Sequence, residues 1–172
     1  MGWMQKTVRP YVVFTDGSCL LNPGGAGGWA AVISKEDMCW ELTGGQLKTT
    51  SNRMELTAAI EALKSLPTGS NVFLFTDSQY VRNGIVSWMA GWKAREWKYV
   101  SGDPIANPDL WKLLDEQNSR HIVSWHWVKG HAKDEKNERC DELAYAAAKK
   151  AVEDAGCEVD PPDVYDWLVQ EG

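Results

Sequence analysis

No stretch of this chain is built to cross a bilayer. Hydrophobic residues make up 44% of the 172 positions, but they never run together for the ~18–20 residues a span requires. Lys6 and Arg9 near the start are not followed by an apolar block of signal-peptide type, so the expected location is the cytoplasm. Cysteine is scarce. Cys19, Cys39, Cys140 and Cys157 form no Cys-x-x-Cys pair, which argues against a zinc site and leaves four free thiols as the expectation. Repeats and low-complexity linkers are missing, and the length suits a single domain with its own core. Positive charge is absent from one region: residues 153–172 carry Glu153, Asp154, Glu158, Asp160, Asp163, Asp166 and Glu171 with no Lys or Arg. That segment contributes −7 to a net charge of −6, so the remaining residues sum to +1. The acidity belongs to a tail and does not exclude a nucleic-acid partner.

What is present reads as alternating secondary structure. Residues 11–19 open with a β-branched and aromatic run that predicts a buried strand. A turn at Asn22–Gly28 leads into two more strands, Trp29–Ile33 and Met38–Leu47, close enough together for an antiparallel meander. Helical spacing over 52–66 ends at Pro67 and Gly69. A short strand, Asn71–Phe75, follows, then a helix over 78–88, another from Pro108 to Gln117, a strand from Ile122 to Val128 and an Ala-rich helix from Asn137 to Ala155. The strand–helix–strand crossover places the fourth strand parallel to one of the first three. The expected architecture is α/β, a mixed sheet covered by helices.

Four carboxylates stand out on this map. Asp16 lies late on the first strand and Asp77 at the end of the fourth. Glu55 falls in the first turn of the first long helix, and Asp141 early in the last helix. Each has an ordinary alternative. Asp16 before Gly17 could belong to a turn, and Asp77 could cap a helix. Asn52-Arg53-Met54-Glu55 fits a capping box, and Asp141 suits the helix dipole. Together, at one end of a sheet, they would repel one another, and hard divalent cations with oxygen ligands relieve that repulsion.

The strings Thr15-Asp16-Gly17-Ser18, Asn52-Arg53-Met54-Glu55-Leu56, Thr76-Asp77-Ser78-Gln79-Tyr80-Val81, Trp127-Val128-Lys129-Gly130-His131 and Asn137-Glu138-Arg139-Cys140-Asp141-Glu142-Leu143-Ala144 occur in the order and spacing of one family. By these strings, over about residues 9–150, the chain resembles bacterial type I ribonuclease H. The resemblance implies the ribonuclease H-like fold, a five-stranded mixed sheet in order 3-2-1-4-5 flanked by helices. Residues 1–155 are expected to form the catalytic domain, with 156–172 an acidic tail that is not a separate domain. The implied activity is two-metal-ion hydrolysis of the RNA strand of RNA–DNA hybrids, leaving 5′-phosphate and 3′-hydroxyl ends. Mg²⁺ is the implied cofactor, with Mn²⁺ as a substitute, held by Asp16, Glu55, Asp77 and Asp141. His131 matches a loop histidine that aids proton transfer or product release. Asn137 matches a residue that positions substrate or water, although it could equally be a helix N-cap.

The resemblance further assigns hybrid contacts to Cys19, Asn22, Asn52 and Gln79. Between 82 and 98, Arg82, Lys93, Arg95 and Lys98 outnumber the single acid Glu96, with Trp88, Trp92 and Trp97 interleaved. Trp88 is expected to pack into the core. The stretch Trp92–Lys98 is too polar for a core helix and is similar to the basic handle that such enzymes lay on the DNA strand. Lys93, Arg95 and Lys98 would there contact phosphates, giving affinity without sequence preference. Ala94 and Glu96 make this handle less basic than others. Two rival classes fit less well: a hybrid-binding module that does not cut needs a missing ligand and none is missing, and the handle and the Gly130-His131 loop argue against an integrase-like strand transferase of the same superfold. A monomer is the expectation. The tail's Val164, Tyr165, Trp167 and Leu168 could pack on the body or on a partner.

Overall fold

A computed structural model describes residues 9–129 and 134–156. The chain enters as strand β1 (Tyr11–Cys19), turns into β2 (Gly27–Lys35) and returns as β3 (Met38–Gln46). Helix α1 (Ser51–Lys64) carries it back to β4 (Asn71–Thr76). A helical run then continues from α2 (Gln79–Asn83) through a π-helical turn (Gly84–Trp88) to α3 (Met89–Ala94). Helix α4 (Pro108–Arg120), strand β5 (Ile122–Trp127) and helix α5 (Glu135–Asp154) complete the fold. His131, Cys157 and tail residues 157–172 lie outside the described residues.

The five strands form one sheet in the order β3-β2-β1-β4-β5. Strands β1, β2 and β3 pair antiparallel, while β1 pairs parallel with β4, and β4 with β5. The expected sheet order and the crossover between β1 and β4 are both present. Alternation along β1 splits the molecule into two layers. Val13 faces the larger core with Leu56, Leu63, Leu74, Trp111 and Leu114 under α1 and α4. Phe14 faces the other side with Val32 and Cys140 under α5.

Helix α5 packs on β1, β2 and β3. The same face of β4 and β5 stays open among the described residues. There Phe14 stacks on Phe75 at 4.8 Å and Phe75 on His126 at 4.8 Å, while Phe73 meets His126 edge-on at 5.7 Å. Phe73 and Ile122 remain 36% and 68% exposed on this face.

Three local expectations are corrected. The α1 cap is Thr50, whose hydroxyl accepts from Arg53 N at 3.2 Å, and not Asn52. Glu55 consequently sits in the second turn and takes no part in a capping box. Asn137 is likewise not the α5 cap: Asp134 is, accepting from Lys136 N and Asn137 N at 2.9 and 3.3 Å. Finally, the helix expected over 78–88 continues to Ala94, so the handle begins as helix.

Candidate active site

The parallel pairing of β1 with β4 builds the site. Thr15 and Thr76 are register partners, so Asp16 and Asp77, each one residue further on, emerge side by side at the carboxyl ends of neighbouring strands. Glu55 comes from α1, which crosses very close to β1. A Cβ at Gly17 would lie 2.4 Å from the backbone N of Glu55, so only glycine lets the helix approach this far. Carboxylate oxygens of Asp16, Glu55 and Asp77 then all lie within 4.8 Å of one another. Asp141, exposed on the second turn of α5, joins them in lining a cleft of about 250 Å³ together with Gly17, Asn137 and Glu138.

The ordinary structural jobs open to these acids are taken by other residues. Thr50 caps α1, Ser78 caps α2 by accepting from Val81 N at 3.2 Å, and Asp134 caps α5. The acids are left gathered in one cleft. Burial pushes the Asp16 carboxyl up from 3.8 to about 7; a hydrogen bond to Glu55 opposes this, and the Asp77 charge adds to it. Burial, followed by the Asp16 charge, pushes Glu55 well above its usual range. Glu55 Oε2 and Asn137 Oδ1 are buried with no hydrogen-bond partner. Orphaned buried acceptors are costly, and a cation or an ordered ligand donor would satisfy them. The donor set is all oxygen, which fits a hard divalent ion.

The other candidates lie on neighbouring segments and on the handle. Cys19 Sγ donates to Leu21 O at 3.1 Å, and Asn22 Oδ1 accepts from Ser51 N at 3.1 Å, which binds the 20–26 turn to the start of α1. Asn52 and Gln79 are exposed beside Glu55 and Asp77. Trp127 Nε1 donates to Asp77 O at 3.3 Å, steadying the residue after β4. In the handle, the expected burial is reversed: Trp92 is 6% exposed, and Trp88 39%. Trp92 packs on Trp111 with ring centres 5.1 Å apart, so it anchors the handle to the body. Trp97 is partly buried against the same core. Lys93 pairs with Asp115 at 3.2 Å, Arg95 Nε donates to Lys98 O at 3.1 Å, and all three basic residues are exposed.

One network went unread in the sequence. Arg53 binds Asp109 at 2.8 Å and donates to Asn107 Oδ1 at 3.2 Å. Asn107 Nδ2 and Trp111 Nε1 both donate to the Tyr80 hydroxyl at 3.0 Å. It ties α1, α2 and α4 together beneath the acids. Arg53 and Tyr80 fall inside the motif strings, but periodicity gives no sign that they share partners.

The RNase H family model matches residues 9–149. The chain belongs to the RNase H family. It is 50% identical over 151 residues to Ribonuclease H of Hahella chejuensis, covering 88% of this chain and 99% of that protein. With Ribonuclease H of Pectobacterium atrosepticum it shares 54% identity over 145 residues, 84% of this chain and 92% of that one. Among solved structures it is similar to LC9-RNase H1, a type 1 RNase H with the type 2 active-site motif. That match has a TM-score of 0.75 and 32% identity over 84% of this chain and 74% of the other. The complex of LC11-RNase H1 with an RNA/DNA hybrid shares the fold at a TM-score of 0.61 and 21% identity, over 83% of this chain and 99% of the other. The RNase H acidic cluster thus has a counterpart here in three convergent carboxylates with a fourth in the same cleft.

Proposed function

We propose that this protein is an endonuclease that hydrolyses the RNA strand of RNA–DNA hybrids, leaving 5′-phosphate and 3′-hydroxyl ends. The observation that carries the reading is the convergence of Asp16, Glu55 and Asp77, with their helix-capping alternatives filled by other residues. These three with Asp141 would hold Mg²⁺, or Mn²⁺ in its place. Bound there, the metal supplies a clamp for the attacking and leaving oxygens of an in-line phosphoryl displacement. Burial and mutual repulsion raise the pKa values of Asp16 and Glu55, so a cation held there would compete with protons for these carboxylates. Asn137 Oδ1, a buried acceptor lining the cleft, orients a hydroxyl or water by accepting its hydrogen. His131 of the preceding loop is assigned the proton-transfer or release step.

Substrate discrimination follows from what differs between strands, the 2′-hydroxyl and the helix shape. Cys19, Asn22, Asn52 and Gln79, on or beside the elements that carry Asp16, Glu55 and Asp77 or in the turn between them, would read it. Trp88, the exposed tryptophan, and Lys93, Arg95 and Lys98 would engage the DNA strand, with Trp97 and Trp92 behind them as support. The working form proposed is a cytoplasmic monomer, with residues 1–155 as the catalytic domain and 156–172 as an appended acidic tail.

The test is cleavage of matched RNA–DNA, RNA–RNA and DNA–DNA duplexes by wild type and Asp77→Asn, with and without Mg²⁺. Only the hybrid should be cut, only with metal, and the variant should lose at least about 100-fold in kcat, the scale of removing one key electrostatic group. Near-wild-type activity of Asp77→Asn, or comparable cutting of DNA–DNA, would overturn the assignment.

A further inference from the structure

Helix α4 opens on a residue that declines its usual job. Asn107, the cap of this helix, holds a left-handed backbone with φ 54° and ψ 45°, a region that a residue with a Cβ enters at a cost. An asparagine in the cap position ordinarily turns its side chain onto the free N–H groups of the first turn. The Asn107 side chain makes no such bond, and only its carbonyl joins the helix, accepting from Trp111 N at 3.1 Å. The amide reaches out to two other helices instead. Its Oδ1 accepts from Arg53 Nη1 on α1 at 3.2 Å, and its Nδ2 donates to the Tyr80 hydroxyl on α2 at 3.0 Å. One residue thus gives up two local preferences to make one bridge. A backbone outlier whose side chain serves distant partners points to function beyond local stability.

The two ends of the bridge lie in different walls of the site. Arg53 stands on α1 between Asn52 and Glu55. Tyr80 stands on α2 beside Gln79, just past Asp77, and its ring meets the exposed Trp88 edge-on at 6.1 Å. Each end is held to α4 a second time. The Arg53 guanidinium forks onto Asp109 at 3.0 and 2.8 Å, and the Tyr80 hydroxyl accepts from Trp111 Nε1 at 3.0 Å. No residue of α4 lines the cleft, yet α4 ties both walls to itself through Asn107.

We propose that Asn107 is a positioning residue that sets the separation between the α1 wall, bearing Asn52 and Glu55, and the α2–handle wall, bearing Gln79 and Trp88, and so fixes the width at which the duplex is gripped. This rests on the reading that the chain binds and cuts RNA–DNA hybrids. Asn107 touches no reacting atom, so its effect falls on substrate fit and not on the chemical step.

Steady-state cleavage of a hybrid in Mg²⁺ tests this, paired with hybrid binding by fluorescence anisotropy in Mg²⁺-free buffer. Asn107→Gly keeps the left-handed backbone and deletes the bridge. Its KM should rise at least about threefold while kcat stays within about twofold of wild type, because fit is lost and the acids are not. Asn107→Asp should restore KM, since a carboxylate accepts both from Arg53 and from the Tyr80 O–H. Tyr80→Phe should raise KM as Asn107→Gly does, cancel the rescue by Asn107→Asp, and add nothing to Asn107→Gly. Hybrid affinity should follow KM throughout. A lower Tm of Asn107→Gly with KM and affinity unchanged would make the bridge merely structural and overturn the proposal. A fall in kcat at unchanged KM, or additive effects of Asn107→Gly and Tyr80→Phe, would overturn it equally. If the wild type binds the hybrid without cutting it, the functional reading falls and the affinity series still decides the role of Asn107; a wild type that does neither overturns both.

Discussion

Single residues decide much of what this chain can do, and Glu96 is the clearest case outside the cleft. Glu96 and Trp97 both adopt left-handed backbone conformations, with φ of 55° and 64°. A residue with a Cβ pays about 1–2 kcal/mol there, which glycine avoids. Glu96→Gly should therefore raise stability by up to about 1 kcal/mol after the greater unfolded-state freedom of glycine is subtracted. The same change removes the only acid of the handle, so KM for the hybrid should fall and its salt dependence steepen. Denaturant unfolding and cleavage at two salt concentrations check both halves; an unstable variant, or one with unchanged KM, would count against the handle as a DNA contact. Residue by residue, the four carboxylates were legible because they recur in fixed strings. Their surroundings were less so. Thr49-Thr50-Ser51-Asn52 offers four plausible caps in a row, and only the path of the 20–26 turn, bonded to Ser51 through Asn22, selects Thr50. Trp88 and Trp92 are spaced one helical turn apart, so their order of burial depended on where Trp111 would stand, which the local pattern does not contain.

Among the elements, the helical run from Gln79 to Ala94 is the one the sequence rendered least well. Its period changes at Gly84, where a π-helical turn begins. The cause is tertiary: Trp111 of α4 presses so close that a Cβ at Gly84 would lie 1.9 Å from its ring. The wider turn shifts the phase of everything after it and leaves Trp88 at the surface with Trp92 inside. Gly84→Ala should cost about 1–3 kcal/mol, as overpacking does. It should also raise KM more than it lowers kcat, because Trp88 would be re-aimed while the acids stay in place. Thermal unfolding and steady-state kinetics on the hybrid separate the two effects; a variant with lowered kcat and unchanged KM would mean that the turn serves the cleft directly. The strands were read more faithfully than this helix because alternation and short hairpin connections are local signals, and each strand is flanked by turn residues.

At the scale of the whole molecule, the acidic cluster sets an opposition between stability and function. Both Asp16 and Glu55 have folded-state pKa values raised above their ordinary ones, so the metal-free fold binds protons more tightly than the unfolded chain. Its stability should be greatest below about pH 4 as far as these groups are concerned, and should fall as pH rises through about 7. Divalent cations compete with those protons. The rise in Tm on adding Mg²⁺ should therefore be small at pH 5.5 and several degrees at pH 8. Equal shifts at the two pH values would mean that the cation does not bind the Asp16–Glu55 pair. His121 works in the opposite sense. It is buried, accepts from Ser70 N and bonds Leu63 O, and burial lowers its pKa, so its share of stability is lost as pH falls below about 6.5.

The four cleft carboxylates come from β1, α1, the end of β4 and α5, so they are scattered from residue 16 to residue 141 and meet through the parallel pairing of β1 with β4 and the docking of the last helix. During synthesis a ribosome releases the amino end first. A nascent chain lacking α5 holds three of the four acids and none of the side chains of the opposite wall. Until that helix packs, the cleft lacks its second wall, so the docking of α5 completes the site and no earlier element can.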